Sequence, residues 1–122
     1  MDIILKNADV LRGLMERRYA PVLIDIICYV AETYGFVLTE SYRDKLHPND
    51  LHGTLPVRAI DLREWCYPAG QAQAIADDIN KRWVYDSQRP EKICARIHAN
   101  RKTKGKHFHI QIHGSTIRRE RE

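Results

Sequence analysis

The stretch "KHFHIQIH", residues 106–113, places His107, His109, Gln111 and His113 at alternate positions, with Phe108, Ile110 and Ile112 between them. Strict alternation is the pattern of a β-strand, where successive side chains point to opposite faces. Phe108, Ile110 and Ile112 are then the predicted buried face. The other face carries imidazoles and an amide. A solvated sheet face accounts for any one of these histidines. Three in alternation point to a cleft, because a His-x-His pair on a strand turns both rings to the same side.

Working outward from this strand, "KICARIH" (92–98) reads as its hairpin partner, joined to it by the basic turn "ANRKTKG" (99–105). Two further strands are predicted at "VRAIDL" (57–62) and "FVLTESYR" (36–43), both rich in β-formers. Between them "DKLHPNDLHGTLP" (44–56), with its Pro, Asn, Asp and Gly, reads as a long loop. "PAGQAQAIADDINKRW" (68–83) is a helix with Pro68 near its start. Residues 5–17 and 21–34 are two more helices, the second ended by Gly35. Two helices, two strands, a helix and a hairpin imply an α+β fold, a small antiparallel sheet with helices packed on one side. The 122 residues suit one domain: N-terminal helices to residue 35, a core from 36 to 113 that carries the candidate site, and a basic tail from 114 to 122.

A composition of 43% hydrophobic and 30% charged residues excludes a disordered chain. The first twenty residues lack the basic, apolar and small-residue regions of a signal peptide, so the chain is expected in the cytoplasm as synthesised. No apolar run approaches the roughly 20 residues that span a bilayer, and no membrane is expected as a partner. The longest, "APVLIDIICYVA" (20–31), is broken by Asp25 and reads as a buried helix in which Cys28 is a small core residue. Cys28, Cys66 and Cys94 form no CxxC pair, which argues against a zinc ribbon and a disulfide framework. The net charge of +4 favours an anionic partner, either nucleic acid or an acidic cell-wall polymer. Nucleic acid would rest on "RKTKGK" (101–106) and "TIRRERE" (116–122), charge runs without an aromatic stacking platform, and it is not expected.

A partner for the histidine strand lies in "LHGTLPVRAIDLRE" (51–64): His52 in the loop, and Asp61 nine positions later in the next strand. His, Asp and a second His are a common zinc set. Alternation puts Val57, Ala59 and Asp61 on one face, and Arg58, Ile60 and Leu62 on the other. An Asp among small apolar neighbours needs a partner, because an unpaired buried carboxylate is costly. A metal ion, backbone amides, Arg58 or Arg63 would each serve.

With these elements in hand, the chain resembles the zinc D-Ala-D-Ala carboxypeptidases and L-alanyl-D-glutamate endopeptidases of the hedgehog/DD-peptidase fold, which include phage endolysins. Those proteins run "TSGYRS", then "SxHxxGxAxD", then a late strand with the last zinc histidine. This chain reads "TESYRD" (39–44), "LHGTLPVRAIDL" (51–62) and "HFHIQIH" (107–113) in the same order, so the resemblance covers about residues 36–113. It implies Zn2+ held by His52, Asp61 and His109, with His107 assisting catalysis and Arg43 holding a substrate carboxylate. The implied function is hydrolysis of peptidoglycan stem peptides, as a carboxypeptidase or endopeptidase of phage or prophage origin, released to the cell wall by lysis. Two departures stand out. The His-to-Asp spacing is nine where relatives have seven, which places two extra residues in the "TLPV" loop. Relatives also carry an acidic general base three residues before the last ligand, and here that position is Lys106. Either His107 takes the role, a carboxylate comes from elsewhere, or the chain is a non-catalytic metal-binding domain, structural or virion-associated. Of the remaining histidines, His47 is a candidate substrate contact, His113 is expected at the cleft rim or in solvent, and His98 at the surface.

Overall fold

The histidine strand lies in the interior of a sheet, flanked on both sides. A computed structural model describes residues 2–99 and 106–119. In it β6 (Lys106–Gln111) runs between β3 (Ala59–Arg63) and β5 (Ala95–Ala99), antiparallel to both. Beyond β3 come β2 (Phe36–Glu40) and β1 (Ile3–Leu5), giving the strand order β1-β2-β3-β6-β5. The helices are α1 (Ala8–Glu16), α2 (Pro21–Thr33) and α3 (Gln71–Arg82). A two-stranded ladder pairs β4 (Trp83–Val84) with β7 (Ile117–Arg118). The mixture is α+β. Among the described residues no helix is long and apolar enough to cross a membrane.

Several local expectations are corrected. The first helix does not reach back to residue 5. Ile3–Leu5 is an edge strand parallel to β2, so the sheet is mixed and not purely antiparallel. The helix begins after Asn7, whose side chain accepts from the Val10 N–H at 3.0 Å and caps its first turn. The third helix begins at Gln71, because Gly70 ahead of it sits in the left-handed region at φ 83°. The strand after α2 stops at Glu40, past a register shift between Leu38 and Glu40. β6 stops at Gln111: Ile112 still donates to the Arg58 carbonyl, but the His113 N–H turns to the Thr116 hydroxyl at 2.8 Å. Cys28 is exposed, because α2 turns Leu23, Ile26 and Val30 inward and leaves Cys28 on the outer side. The hairpin turn from 100 to 105 and the tail from 120 lie outside the described residues.

Alternation sorts β6, and β3 from Ile60 on, into two faces as the sequence predicts; Val57, expected on the Asp61 side, precedes the strand and is buried in the core. Phe108, Ile110 and Ile112 are buried, and they join Ile60, Leu62, Phe36 and Leu38 in a core shared with Leu23, Ile26 and Val30 of α2 and Ile75, Ala76 and Ile79 of α3. Each fully buried Leu, Ile or Phe contributes roughly 1.5–3 kcal/mol. This apolar layer holds one face of the sheet rigid while the opposite face is free to carry polar chemistry.

A polar clamp ties α2 to α3. The Tyr29 and Tyr34 hydroxyls both donate to Asp78 Oδ2, Tyr34 at 2.6 Å, while Arg82 Nε donates to Oδ1 at 2.8 Å. The Arg82 guanidinium also lies over the Tyr29 ring, 4.7 Å from its centroid. Burial opposes ionisation of Asp78, but the two phenols and Arg82 outweigh it and hold its carboxyl below the usual carboxylate range. A depressed value means that the clamp contributes fully above the ordinary aspartate pKa, near pH 4, and fades as acid protonates the carboxylate. Asp78→Asn is therefore expected to cost about 2 kcal/mol at pH 7. Denaturant titration of both proteins should show the gap narrowing below about pH 4.

Candidate metal centre

The β3–β6 register sets Asp61 directly opposite His109. Opposed residues share a face, so both side chains rise from the polar side of the sheet. Asp61 Oδ1 lies 2.8 Å from His109 Nδ1 and 3.3 Å from His52 Nε2. The ligand atoms of His52, Asp61 and His109 all lie within 4.8 Å of one another. His52 and Asp61 are buried and His109 nearly so. The three residues that the sequence singles out as ligands converge on one point.

The outer sides of both rings are held by acceptors. His52 Nδ1 donates to the Ser41 carbonyl at 3.1 Å, which leaves Nε2 with a lone pair. That nitrogen is buried without a hydrogen-bond partner, since the 3.3 Å approach of Asp61 lacks the geometry of a hydrogen bond. Around His109, Gln111 fixes the outer side. The Gln111 amide donates to the Ile93 carbonyl at 3.1 Å, so its Oε1 faces His109 Nε2 at 3.2 Å and accepts the proton there. On its inner side the ring donates from Nδ1 to Asp61 Oδ1 at 2.8 Å. A cation in place of that proton would face two imidazole nitrogens and a carboxylate, one of the nitrogens, His52 Nε2, being buried and unpartnered. Outward N–H groups on acceptors, with inward lone pairs, are the arrangement that orients metal-ligating histidines. Burial opposes ionisation of Asp61, yet His109 and His52 hold its carboxyl far below the usual carboxylate range. The trio fits a divalent cation.

His52 reaches the trio because its loop is pinned. Asp50 is buried, and its Oδ1 accepts from the His52 N–H at 3.1 Å while Oδ2 accepts from the Leu46 N–H at 3.1 Å. Burial raises the Asp50 pKa, but these amides and Arg43 outweigh it and lower the net value. The "TESYRD" stretch wraps the loop: the Ser41 carbonyl holds the ring, and the Arg43 N–H donates to the His52 carbonyl at 3.2 Å. Between His52 and Asp61 the chain turns at Thr54, whose hydroxyl donates to the Leu51 carbonyl at 2.8 Å. Gly53 must lack a side chain, since a Cβ there would meet the Lys45 N at 2.8 Å and the Arg43 O at 2.9 Å.

The trio lines a cleft of about 490 Å³ together with Glu40, Arg43, His47, Arg96, His98, His107 and Gln111, among others. His107 lies on the cleft face as its position predicts, and His47 also lines the cleft. Arg43 reaches the cleft, but its guanidinium is engaged by Glu40 at 3.2 Å and Asp50 at 3.4 Å. His113 does not line the cleft; its ring packs on Tyr85 and its Nδ1 lies 2.8 Å from the Ser115 hydroxyl.

His98 is a correction. It is not a plain surface residue but a half-buried wall of the cleft, its ring centroid 5.9 Å from those of both His107 and His109. Burial, and then the charge of Arg96, push its imidazole toward the neutral form. Glu40, Arg96, Asp50, Ser41 and Gln111 also have roles here that the sequence alone did not assign. Asp50 had a legible signal, an Asx residue two positions ahead of His52 at the head of a turn. The others depend on register.

The chain matches no protein-family model, no curated protein and no solved structure. The case for the site rests on its own geometry.

Asp61→Ala should abolish stoichiometric divalent-metal binding, measured by calorimetry, while circular dichroism shows the fold retained. Gly53→Ala should displace the His52 loop and weaken metal binding by about 10–100-fold. Wild-type affinity in either variant contradicts the assignment.

Proposed function

We propose that the chain is a zinc-dependent peptidase that hydrolyses peptidoglycan stem peptides, of phage or prophage origin, with a core of the hedgehog/DD-peptidase kind. The observation that carries this reading is the convergence of His52, Asp61 and His109 with both imidazoles oriented from outside by acceptors. Two nitrogens and one carboxylate oxygen suit zinc, and three protein ligands in place of four are the pattern of catalytic sites. The order of the three motifs along the chain supports the same class, as does the wrapping of "TESYRD" around the His52 loop.

Zinc, when bound, supplies an activated water and polarises the scissile carbonyl. The chain's own residues then have three tasks. Asp61 and the two histidines hold the cation against a rigid sheet. The second task, proton transfer, falls to a group on the same face, because Lys106 is exposed at the start of β6 and offers no carboxylate. His107 is that group: it stands two positions from His109 on one strand, roughly 6.5–7 Å away between Cα atoms. An imidazole changes protonation near neutral pH and so can take and return a proton. Glu40 is an alternative carboxylate, opposite Asp61 in the β2–β3 register, but Arg43 already engages it at 3.2 Å. The third task is to hold the substrate, for which the cleft offers charged side chains.

Lys106 favours a second reading, a metal-binding structural or virion-associated domain without catalysis. Digestion of peptidoglycan by the zinc-loaded protein separates the two. Wild type should release stem-peptide fragments, and His107→Ala should keep its zinc while losing hydrolysis by on the order of 100-fold or more. Equal rates would remove His107 from the mechanism. Inactivity of the zinc-loaded wild type across several wall types would favour the structural reading.

A further inference from the structure

We propose that Arg96, with His98 beside it, is the site that binds a free carboxylate of the substrate. The proposal rests on the peptidase reading and names the part of the cleft that orients the peptide. The β5–β6 ladder sets Arg96 opposite His109 and His98 opposite His107. The β3–β6 and β2–β3 ladders set Asp61 opposite His109 and Glu40 opposite Asp61. One row across four strands therefore reads Glu40, Asp61, His109, Arg96, all on the cleft face. Arg96 starts one strand spacing, about 5 Å, from the trio.

Its charge is uncommitted. Arg96 is exposed, lines the cleft, and forms no ion pair with any carboxylate among the described residues. Arg43, to which the family resemblance gives this task, is held by Glu40 and Asp50 and serves to brace the His52 loop. The formal charges that line the cleft are Lys6, Arg43 and Arg96 against Glu40, Asp50 and Asp61. A bound dication would tip this balance positive, which favours an anionic ligand. The guanidinium is a planar fork that pairs with both oxygens of a carboxylate. His98 sits two residues along the same strand and face, and it closes the pocket toward His107.

The test compares acetyl-Ala-Ala with its C-terminal amide, which differ in charge but hardly in shape, by calorimetry on the full chain. Both D- and L-residue forms are used, with and without zinc, and zinc content is measured in each sample. Wild type should bind the acid at least about 10-fold tighter than the amide. Arg96→Gln should bring that ratio close to one with zinc content unchanged, and Arg96→Lys should restore part of it. Arg12→Gln, which removes an equal charge from the exposed face of α1, should leave the ratio intact. A ratio that survives Arg96→Gln, that falls equally in Arg12→Gln, or that is absent in wild type overturns the proposal. A wild type that takes up no zinc refutes the metal reading separately. The acid–amide comparison on metal-free protein still decides Arg96 in that case.

Discussion

The register between β3 and β6 is the constraint on which the site depends. A strand's side chains alternate with a period of two, so a slip of one residue would turn Asp61 or His109 into the core and bring Leu62 or Phe108 to the cleft. What prevents the slip is the apolar face. Ile60 opposite Ile110 and Leu62 opposite Phe108 are fully buried against α2 and α3, and burying a carboxylate and an imidazole in their place would be prohibitive. The hydrophobic core therefore specifies the polar site. It does so with no residue in common.

A second consequence concerns the burial of polar groups. The trio concentrates a carboxylate, an imidazole bonded to it and the unpartnered Nε2 of His52 in a nearly solvent-free corner, which a folded protein ordinarily avoids. The supporting contacts, Ser41 on one ring and Gln111 on the other, keep the rings from turning to satisfy themselves elsewhere. Asp50 and the tight approach at Gly53 do the same for the loop that carries His52. The chain spends stability here to hold three side chains in a group that fits a cation. The Asp78 clamp and the apolar core lie on the other side of the molecule, where they can absorb that cost.

The cleft is asymmetric. On the β2 side Glu40, Arg43 and Asp50 form a self-neutralised cluster that belongs to the scaffold of the His52 loop. On the β5 side Arg96 and His98 stand beside His107 and His109 without a carboxylate among them. A ligand entering the cleft would meet a compensated wall on one flank and a cationic one on the other. Charge distribution, more than shape, would orient it.

How much of this was legible in the sequence follows from the range of each signal. The alternation in "KHFHIQIH" is local, and it sufficed to name the buried face of β6 and to put His107 and His109 on the cleft face, because a strand's two faces are set by the backbone alone. The grouping of His52, Asp61 and His109 was implied by the family resemblance. The helices were legible from periodicity and caps, with errors at their ends where Asn7 and Gly70 decide the first turn. β1 was not legible. Three residues carry too little pattern, and Ile3–Leu5 is a strand only because β2 offers it an edge. Cys28 was misplaced because an apolar helix does not reveal which of its sides meets the sheet. His98, Arg96, Glu40 and Gln111 took their roles from cross-strand register, which pairs residues far apart in the chain. The sequence by itself determined which residue types line each face. Only the tertiary structure decided which of them meet, because a strand's neighbours are chosen by packing of the whole core and not by any residue within it.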